Sequence, residues 1–554
     1  MNKSRILPII FILSVAISIF ALPQVGQSVQ PRQTTTTSTK QVKEKVYLLH
    51  ADSLTFDAAM SAEYKVLHGN VTFRKDSMYM YCDSAYFYDA NNSLDAFGNV
   101  RMEQGDTLFI YSDYLYYDGQ AQMAELRDNV RMINRSVTLY TDSLNYDMID
   151  NLGYYFVGGK IVDEENELVS VYGEYSPSTK IAMFNYNVVL TNEEYVIYSD
   201  TLTYNTTTNV SYLYGPSTIV SDSNTIVTTL GWYDTSNNYA MLLERSQLYG
   251  DSTLLTGDTL FYDRNLGVGE AFGNMFMIDS TRSVIMEGNY GLYNEKTEYG
   301  FATDSARVLE FSHKDTLYMH ADTLLSYLDT DSTRVLRAFY GVRFFRVDAQ
   351  GVCDSLQYVS RDSTLTLYDN PIMWSGEQQI FGDTIRIFFN DSTVDWAHVI
   401  NSAFATQLKD KPYYDQLECN EIKAYFENGE MKLIEGLGNV RAIFYPQESD
   451  STIVGMFNSD ASFLNIYLEE QKLNKMVMWP SVAGKMYPLE MLTPSDLYLS
   501  RYKWFENERP ADKDDIFRSV GRNVDISVAE DSTTVTDASI ADDVKSVSPL
   551  QPKL

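Results

Sequence analysis

The chain has 554 residues, of which 44% are hydrophobic, so it has ample apolar side chains for a core. Its aromatic residues include 42 Tyr and 27 Phe against 5 Trp, a composition that favours strands over helices. The net charge of -32 argues against nucleic acid or an anionic bilayer surface as a partner held by charge. Any lipid partner must therefore be held mainly through its apolar part.

Residues 1–24 have the pattern of an export signal. Lys3 and Arg5 precede an almost uninterrupted apolar run from Ile6 to Ala21. Because this run is shorter than the roughly 20 residues of a spanning helix, we expect removal of the signal, with retention as an anchor as the alternative. Residues 25–46 are polar and Thr-rich, and predict a flexible linker.

A repeated unit extends from residue 47 to residue 480. It consists of a small residue, Asp, Ser or Thr, an aliphatic residue, any residue and an aromatic residue. With weaker copies it recurs about 14 times, at a spacing in the range of about 20 to 50 residues that is typical of repeat architectures. The clearest copies carry the acidic residue as Asp52, Asp113, Asp142, Asp200, Asp258, Asp354 and Asp383.

A second pattern, Gly-Asn or Asp-Asn followed by an apolar residue, lies between the first copies, for example at Gly98-Asn99 and Gly273-Asn274. Both dipeptides tolerate positive φ, so we expect each to form a tight turn that opens onto a strand. Apolar residues recur at every second position, and no helical period is found inside the repeats. The sequence therefore predicts an all-β, elongated and twisted array of short strands, a jellyroll or solenoid.

The repeated Asp is expected to have a structural role. In an unbroken strand it would share a face with the apolar residues two and four positions later, where a charge is costly. We therefore expect it at a bend, where its carboxylate caps backbone N–H groups and the inward face begins just after it. A ladder of metal sites is the alternative, but one carboxylate per repeat is too few ligands for calcium, so we expect no metal.

The small-Asp-x-Leu-x-Tyr unit alternating with Gly-Asn-Val resembles the OstA-like family of lipopolysaccharide-transport A and organic-solvent-tolerance proteins. The resemblance covers residues 47–480. It implies a β-jellyroll with an open apolar groove that takes the acyl chains of lipopolysaccharide in the periplasm. It also implies partners, namely other lipopolysaccharide-transport proteins joined through edge strands, and delivery to the outer membrane. The chain is longer than a minimal bridge subunit of that family.

The inward aliphatic and aromatic residues of the repeat are the candidate lipid contacts, and ordinary core packing is the alternative for each of them. They are Leu54, Phe56, Leu115, Tyr117, Leu144, Tyr146, Leu202, Tyr204, Leu260, Tyr262, Leu356 and Tyr358. An open groove of this kind would bind acyl chains by apolar burial alone, at roughly 25 cal/mol per Å².

Catalytic chemistry has little support in the sequence. No His-Glu-x-x-His, Gly-x-Ser-x-Gly or phosphate-loop pattern occurs, so we expect neither an enzyme nor a cofactor. Cys82, Cys353 and Cys419 each occupy the small position before the repeat Asp or Asn, which predicts free buried thiols.

The C-terminal part departs from the repeat. Residues 481–522 contain Pro494-Ser495-Asp496, which predicts a capped short helix over the last strand edge. Residues 523–554 are acidic and Ser-rich, a composition typical of disorder. The alternative function is a structural or adhesive cell-surface solenoid with a filled core.

Overall fold

The computed structural model describes residues 45–56, 63–312, 314–390, 393–448, 452–469 and 472–519. The expected signal, nearly all of the linker and the acidic tail lie outside these residues. Within them the chain is built from strands and three short 3-10 turns, which confirms the all-β fold class. No helix in the described part is long and apolar enough to cross a membrane.

The described part of the chain begins with two short strands, after which groups of long strands alternate with groups of short ones as far as the middle of the chain. They are β1 Tyr47–His50, β2 Ser53–Thr55, β3 Lys65–Lys75, β4 Met78–Tyr88, β5 Ser93–Gln104, β6 Leu108–Asp118, β7 Met123–Asn134, β8 Val137–Asp147, β9 Leu152–Tyr155, β10 Gly159–Val162, β11 Glu167–Ser170, β12 Tyr172–Ser176, β13 Ile181–Thr191, β14 Tyr195–Asn205, β15 Val210–Ser221, β16 Thr225–Asp234, β17 Tyr239–Leu243, β18 Gln247–Tyr249, β19 Thr253–Thr256, β20 Thr259–Asp263, β21 Val268–Asp279 and β22 Val284–Asn294.

The remaining strands are mostly short until the last repeats. They are β23 Tyr299–Thr303, β24 Arg307–Glu310, β25 Leu317–His320, β26 Thr323–Leu328, β27 Arg334–Phe339, β28 Val342–Arg346, β29 Ala349–Cys353, β30 Ser355–Val359, β31 Thr364–Tyr368, β32 Ile372–Ser375, β33 Gln378–Phe381, β34 Thr384–Phe389, β35 Val394–Ile400, β36 Ala403–Asp410, β37 Tyr413–Cys419, β38 Glu421–Glu427, β39 Glu430–Phe444, β40 Met456–Glu469, β41 Lys472–Trp479 and β42 Ala483–Tyr487.

All pairings are antiparallel, and they form two layers that share the long strands. In layer 1, Ala96 pairs with Leu115 and β8 is followed by β9 and β12. In layer 2, Met102 pairs with Ile110 and β8 is followed by β10 and β11. Each long strand thus belongs to layer 2 at one end and to layer 1 at the other. Since neighbouring strands lie about 4.8 Å apart, the repeats extend the molecule along one axis.

The apolar sides of the two layers face each other. The rings of Phe73 in layer 2 and Phe87 in layer 1 lie 5.5 Å apart, and those of Tyr195 and Tyr233 lie 4.9 Å apart. One continuous cluster of buried residues runs from Val46 to Ile466. The core therefore lies between the layers along nearly the whole repeat region, in a β-jellyroll arrangement.

The Gly-Asn pairs lie inside long strands and not at their ends, so the expectation that each forms a turn opening onto a strand is wrong. Gly98 and Asn99 both have positive φ, 71° and 45°, and the register shifts between Phe97 and Val100. Two successive left-handed residues bend the strand, which passes there from one layer to the other. We call each such bend a corner.

Residues 488–518 run across the outer face of layer 2, and we call them the strap. The predicted capped helix is absent from the strap; it contains 3-10 turns at Leu489–Met491, Glu506–Glu508 and Asp515–Phe517. Thr493 and Asp496 form a hydrogen-bonded turn at the predicted cap. The strap lies over the face of the sheet and not at its edge. Apolar residues project outward from this face, and the strap buries them.

Candidate lipid-binding interior

In the first part of the molecule, from β3 to β21, the interior is filled by side chains of the chain itself. The inward residues of the repeat are between 0% and 5% exposed; they are Leu115, Tyr117, Leu144, Tyr146, Leu202, Tyr204, Leu260 and Tyr262. A cavity beside Leu168 and Phe184 has a volume of about 10 Å³, the space of about one water molecule. A groove open along the whole length is therefore not present, because the side chains of the two layers interdigitate here.

The free ends of the two layers meet along a line that we call the seam, where the hairpin turns of layer 1 lie beside those of layer 2. The aromatic residue of the repeat reaches this line from layer 1. The Tyr204 hydroxyl donates to Asp163 Oδ2 over 3.5 Å, and Asn134 Nδ2 donates to the Tyr175 hydroxyl over 3.1 Å. Asn224 Nδ2 donates to the Tyr262 hydroxyl in the same way. The repeat tyrosines therefore both fill the interior and close the seam.

Other side chains also bridge the seam. Lys75 Nζ donates to Gln122 Oε1 over 2.8 Å, and Asn238 Nδ2 donates to Glu194 Oε2 over 3.2 Å. Further along, Arg282 Nη2 lies 2.5 Å from Glu298 Oε2. These bonds tie the turns of the two layers together from β3 to β22.

Burial raises the pKa of several interior tyrosines well above the ordinary value of 10.0. The pKa of Tyr146, Tyr155 and Tyr233 rises to about 12 in each case, chiefly because the ionised phenolate would lose its hydration in the interior. The pKa of Tyr204 and Tyr262 is also raised, by burial and then by Asp163 and Glu295 respectively. These hydroxyls stay protonated and donate or accept hydrogen bonds at neutral pH.

From β24 to β36 the interior is less completely filled, and we call this stretch the open section. Inward apolar side chains of both layers are there only partly buried, although they line the same continuous core. In layer 2 they include Val308, Leu317, Met319, Met373 and Ile380, and in layer 1 Leu365 and Ala397. Leu336 and Tyr358 of layer 1 are also partly buried and lie opposite each other on neighbouring strands. Solvent therefore reaches apolar side chains between the layers in this stretch.

The sequence explains the difference between the two sections. The position that holds Tyr117, Tyr146, Tyr204 and Tyr262 in the first part is Ser326 in the copy that begins at Asp322. In the copy at Asp383 it is Ile387, whereas the copy at Asp354 keeps the aromatic residue as Tyr358. Because Ser326 and Ile387 are smaller and carry no phenol, they neither span the interior nor reach the seam. The repeat pattern contains this partial loss of the aromatic residue, although we did not single it out from the sequence.

The candidate residues thus divide among three environments. Leu356 is 6% exposed and Tyr358 is partly exposed in the open section. Leu54 and Phe56 are 51% and 54% exposed, which contradicts an interior position, because β2 is an edge strand that pairs only with β3 among the described strands. Leu54 does lie opposite buried Leu67, so its register is inward even though nothing in the described residues covers it.

The repeat Asp residues lie on the outside of the corners. Asn129 Nδ2 donates to Asp113 Oδ2 over 2.6 Å, and Asn274 Nδ2 donates to Asp258 Oδ2 over 2.7 Å. Asn70 holds Asp52 in the same way. At these corners the carboxylate is held by a side-chain amide, where the sequence had suggested a backbone N–H group.

The glycine of the Gly-Asn pair makes room for this Asp. A Cβ atom on Gly273, which has a φ of +69°, would lie 2.6 Å from Asp258 Oδ2. Asp258 N in turn donates to the Gly273 carbonyl over 2.8 Å. Glycine therefore serves both the left-handed backbone and the close approach of the carboxylate. Asp142, Asp200, Asp354 and Asp383 occupy the equivalent position in strands β8, β14, β30 and β34 or immediately before them.

The three cysteines are free and buried, as their place in the repeat predicted. Burial raises the pKa of Cys82 and Cys419 to about 12, so these thiols are protonated and unreactive at neutral pH. Among the described residues, no cluster of His, Cys, Asp and Glu could hold a metal ion.

Comparison with known proteins finds a protein family and solved structures to which the chain is similar. The periplasmic component LptH of the lipopolysaccharide transport device of Pseudomonas aeruginosa, described as homologous to LptA, is 14% identical over 20% of this chain and 93% of its own, with a TM-score of 0.20. No curated protein matches the chain. Residues 43–200 match the model of the OstA-like protein family, which confirms over these residues the resemblance inferred from the repeat. This part of the chain is therefore similar to the OstA-like family.

Proposed function

We propose that the protein is a non-catalytic periplasmic carrier or bridge segment that holds the acyl chains of lipopolysaccharide on their way to the outer membrane. The observation that carries this proposal is the open section, where apolar side chains between the two layers are partly exposed, whereas the repeat tyrosines fill the interior from β3 to β21. The OstA-like match at residues 43–200 supports the same class of function.

The open section suits a lipid because its lining is apolar and runs along the molecular axis. Met319 on β25, and Met373 and Ile380 on the adjacent strands β32 and β33, project inward from layer 2. Methionine adapts its shape to irregular partners. Burial of even about 500 Å² of acyl chain would contribute on the order of 12 kcal/mol before the costs of binding. No charged residue is required for this contribution, in keeping with the net charge of -32.

The filled section from β3 to β21 is assigned a different role within the same proposal. Its packed interior and bonded seam make it a spacer that gives the carrier its length. A structural or adhesive solenoid remains the second candidate, and the filled interior of this section is the observation that favours it.

A variant that refills the open section separates the two functions. Ser326 lies on the inward face of β26 opposite Gly300, so Ser326→Tyr restores the aromatic residue of the repeat there. Leu325→Tyr, on the outward face of the same strand, is the matched control. We expect Ser326→Tyr to weaken binding of fluorescent lipopolysaccharide about tenfold or more, about 1.4 kcal/mol. The control variant should bind as the wild type does.

Delipidated polysaccharide provides the second arm of this experiment and should not bind. If the wild-type protein binds neither form under conditions where an apolar dye enters it, the solenoid is the correct assignment. If Ser326→Tyr and the wild type bind lipopolysaccharide equally, the open section is not the site.

A further inference from the structure

The strap is fixed to layer 2 by a row of buried polar side chains that bond to its backbone. Gln379 Nε2 donates to the Lys503 carbonyl over 2.9 Å, and Phe505 N donates to Gln379 Oε1 over 2.8 Å. Gln416 repeats this pair of bonds with the Leu497 carbonyl and Leu499 N, at 2.8 and 2.9 Å. Both glutamines are 1% exposed. Their amides therefore fix the register of the strap on the sheet.

Two further side chains continue this row toward β25. Gln350 Oε1 accepts from Arg509 Nε and Nη2 over 2.9 and 2.7 Å, and Arg343 Nη2 donates to the Glu508 carbonyl over 3.1 Å. The ring of Phe517 lies 4.6 Å from that of His320. The strap thus crosses the outer face of layer 2 from β37 to β25.

Apolar packing accompanies these bonds. Val352, Ile372 and Trp374 project outward from layer 2 and are buried together with Phe505 of the strap. Leu499 is buried in a second outer cluster that contains Phe404 and Ile443. Layer 2 is therefore apolar on both faces beneath the strap, and burial of the outer face is provided by residues 488–518.

The strap and the open section occupy the same strands. The partly exposed inward residues Val308, Met319, Met373, Ile380 and Ala405 lie on β24, β25, β32, β33 and β36. The strap contacts strands of layer 2 from β25 to β37, and it reaches β24 through the ion pair between Arg307 and Asp514. The layer 2 strands of the open section therefore lie beneath the strap. The strap contacts named above do not lie on the strands from β3 to β21. In that part of the molecule side chains bond across the seam and fill the interior.

We propose that the strap is a brace that holds layer 2 away from layer 1 and so keeps the open section open. The outward side chains of layer 2 pack against the strap, and the fixed register of the strap sets the position and twist of the strands beneath it. This inference concerns the regulation of the site in the proposed function and rests on that proposal for its biological meaning. The geometry itself can be measured without any lipid.

Distances between spin labels across the seam test the brace. One pair, Val347→Cys and Asp362→Cys, lies on exposed turns of layer 2 and layer 1 in the open section. A reference pair, Asp222→Cys and Thr207→Cys, lies on equivalent turns of the filled section. Both pairs are placed in the full chain with Cys82, Cys353 and Cys419 changed to Ala, the residue found at the same repeat position in Ala51 and Ala321.

The strap is released with Leu499→Ser and Phe505→Ser, which remove its apolar anchors without altering the sheet. Met491→Ser with Asn507→Ser, at exposed strap positions, is the matched control. Hydrogen exchange of residues 497–505 reports whether the strap has left the sheet. A chain that ends at Tyr487 removes it altogether.

We expect release or removal of the strap to shorten the distance of the open-section pair by about one strand spacing, about 5 Å, and to leave the reference pair unchanged. The control variant should behave as the wild type does. An unchanged open-section distance with a released or absent strap would overturn the proposal, as would an equal change in both pairs. A positive result with no lipopolysaccharide binding would retain the brace and refute the proposed function.

Discussion

At the scale of single residues, the contact between Asp258 and Asn274 shows how a corner is fixed. Asp258→Ala removes the bond from Asn274 Nδ2 and the contact with Arg245 Nη1 at 3.4 Å. Because the carboxylate is exposed, we expect a loss of about 1 kcal/mol in the free energy of unfolding. Urea unfolding measures the shift, with Asp251→Ala on an exposed turn as the control. A larger effect of the control would refute the role of the corner.

The glycine at the same corner should matter more than the Asp. Gly273→Ala places a methyl group where the carboxylate of Asp258 lies and forces an L residue into positive φ. We expect a loss of about 2 kcal/mol or more. In the Asp258→Ala background the contact with the carboxylate at 2.6 Å is removed and only the contact with Cβ at 3.1 Å remains, so the same substitution should cost less there. Equal costs in the two backgrounds, measured as a double-mutant cycle, would show that the two residues do not interact.

The sequence allowed the corner to be placed but not its geometry. The repeated Asp and the Gly-Asn pair both marked bends, because a charge and a pair of residues tolerant of positive φ are costly within a straight strand. The bond between their side chains joins residues 16 positions apart in Asp258 and Asn274, and no local pattern indicates it. At Tyr186-Asn187 and Asn401-Ser402 the same left-handed pair occurs without glycine, so the Gly-Asn pattern did not indicate a corner there.

At the scale of the elements, the buried tyrosines make the stability of the filled section from β3 to β21 depend on pH. The pKa of Tyr146, Tyr155 and Tyr233 is raised from 10.0 to about 12 in the folded chain, so folding favours the protonated phenol. Their stabilising effect is fully present below pH 10 and is lost as the pH rises from 10 to 12. We expect cooperative loss of strand structure in that window, measured by circular dichroism together with the ultraviolet absorbance of tyrosinate. Ionisation of the full complement of 42 tyrosines at pH 10 with an intact fold would contradict this expectation.

The glutamines of layer 2 that bond to the strap backbone should stabilise the attachment of the strap, and this contribution can be measured. Gln379→Ala leaves the Phe505 N–H, the Lys503 carbonyl and the Trp374 indole N–H, which donates to Gln379 Oε1 over 3.1 Å, without this partner. We expect a loss of about 2–4 kcal/mol and a red shift of the Trp374 fluorescence as water enters. Gln378→Ala, at the exposed neighbouring position, should change neither quantity. Loss of stability without the red shift would place the damage elsewhere.

The presence of the strands was predictable at this scale, whereas the strap was not. Alternation of apolar residues and the turn residues between them identify strands because a half-buried strand has a period of two. The outer face of layer 2 carries Trp374, Phe404 and Ile443 at positions where the alternation predicts polar residues. Those residues were a sign that something covers the face. The partner segment is irregular and has no periodicity of its own, so the sequence could not show where it lies.

At the scale of the whole molecule, one jellyroll combines the filled section from β3 to β21 with the open section from β24 to β36. The fold class and the OstA-like resemblance followed from the repeat, because many copies in phase reinforce one another. The open apolar groove that the resemblance implied does not extend through the section from β3 to β21, since the same tyrosines that suggested an apolar lining fill the interior there and bond across the seam. Whether an apolar repeat makes a groove or a core depends on side-chain volume across two layers, which a single strand does not reveal.

The central claim is that lipid acyl chains enter the open section and not the closed one. A photoreactive amino acid at Met319 or Met373, with Leu144 as the matched inward position in the closed part, can be tested with purified full-length protein and lipopolysaccharide. We expect lipopolysaccharide adducts from Met319 and Met373 and none from Leu144. Adducts from Leu144 equal to those from Met319, or adducts from none of the three positions, would contradict the account.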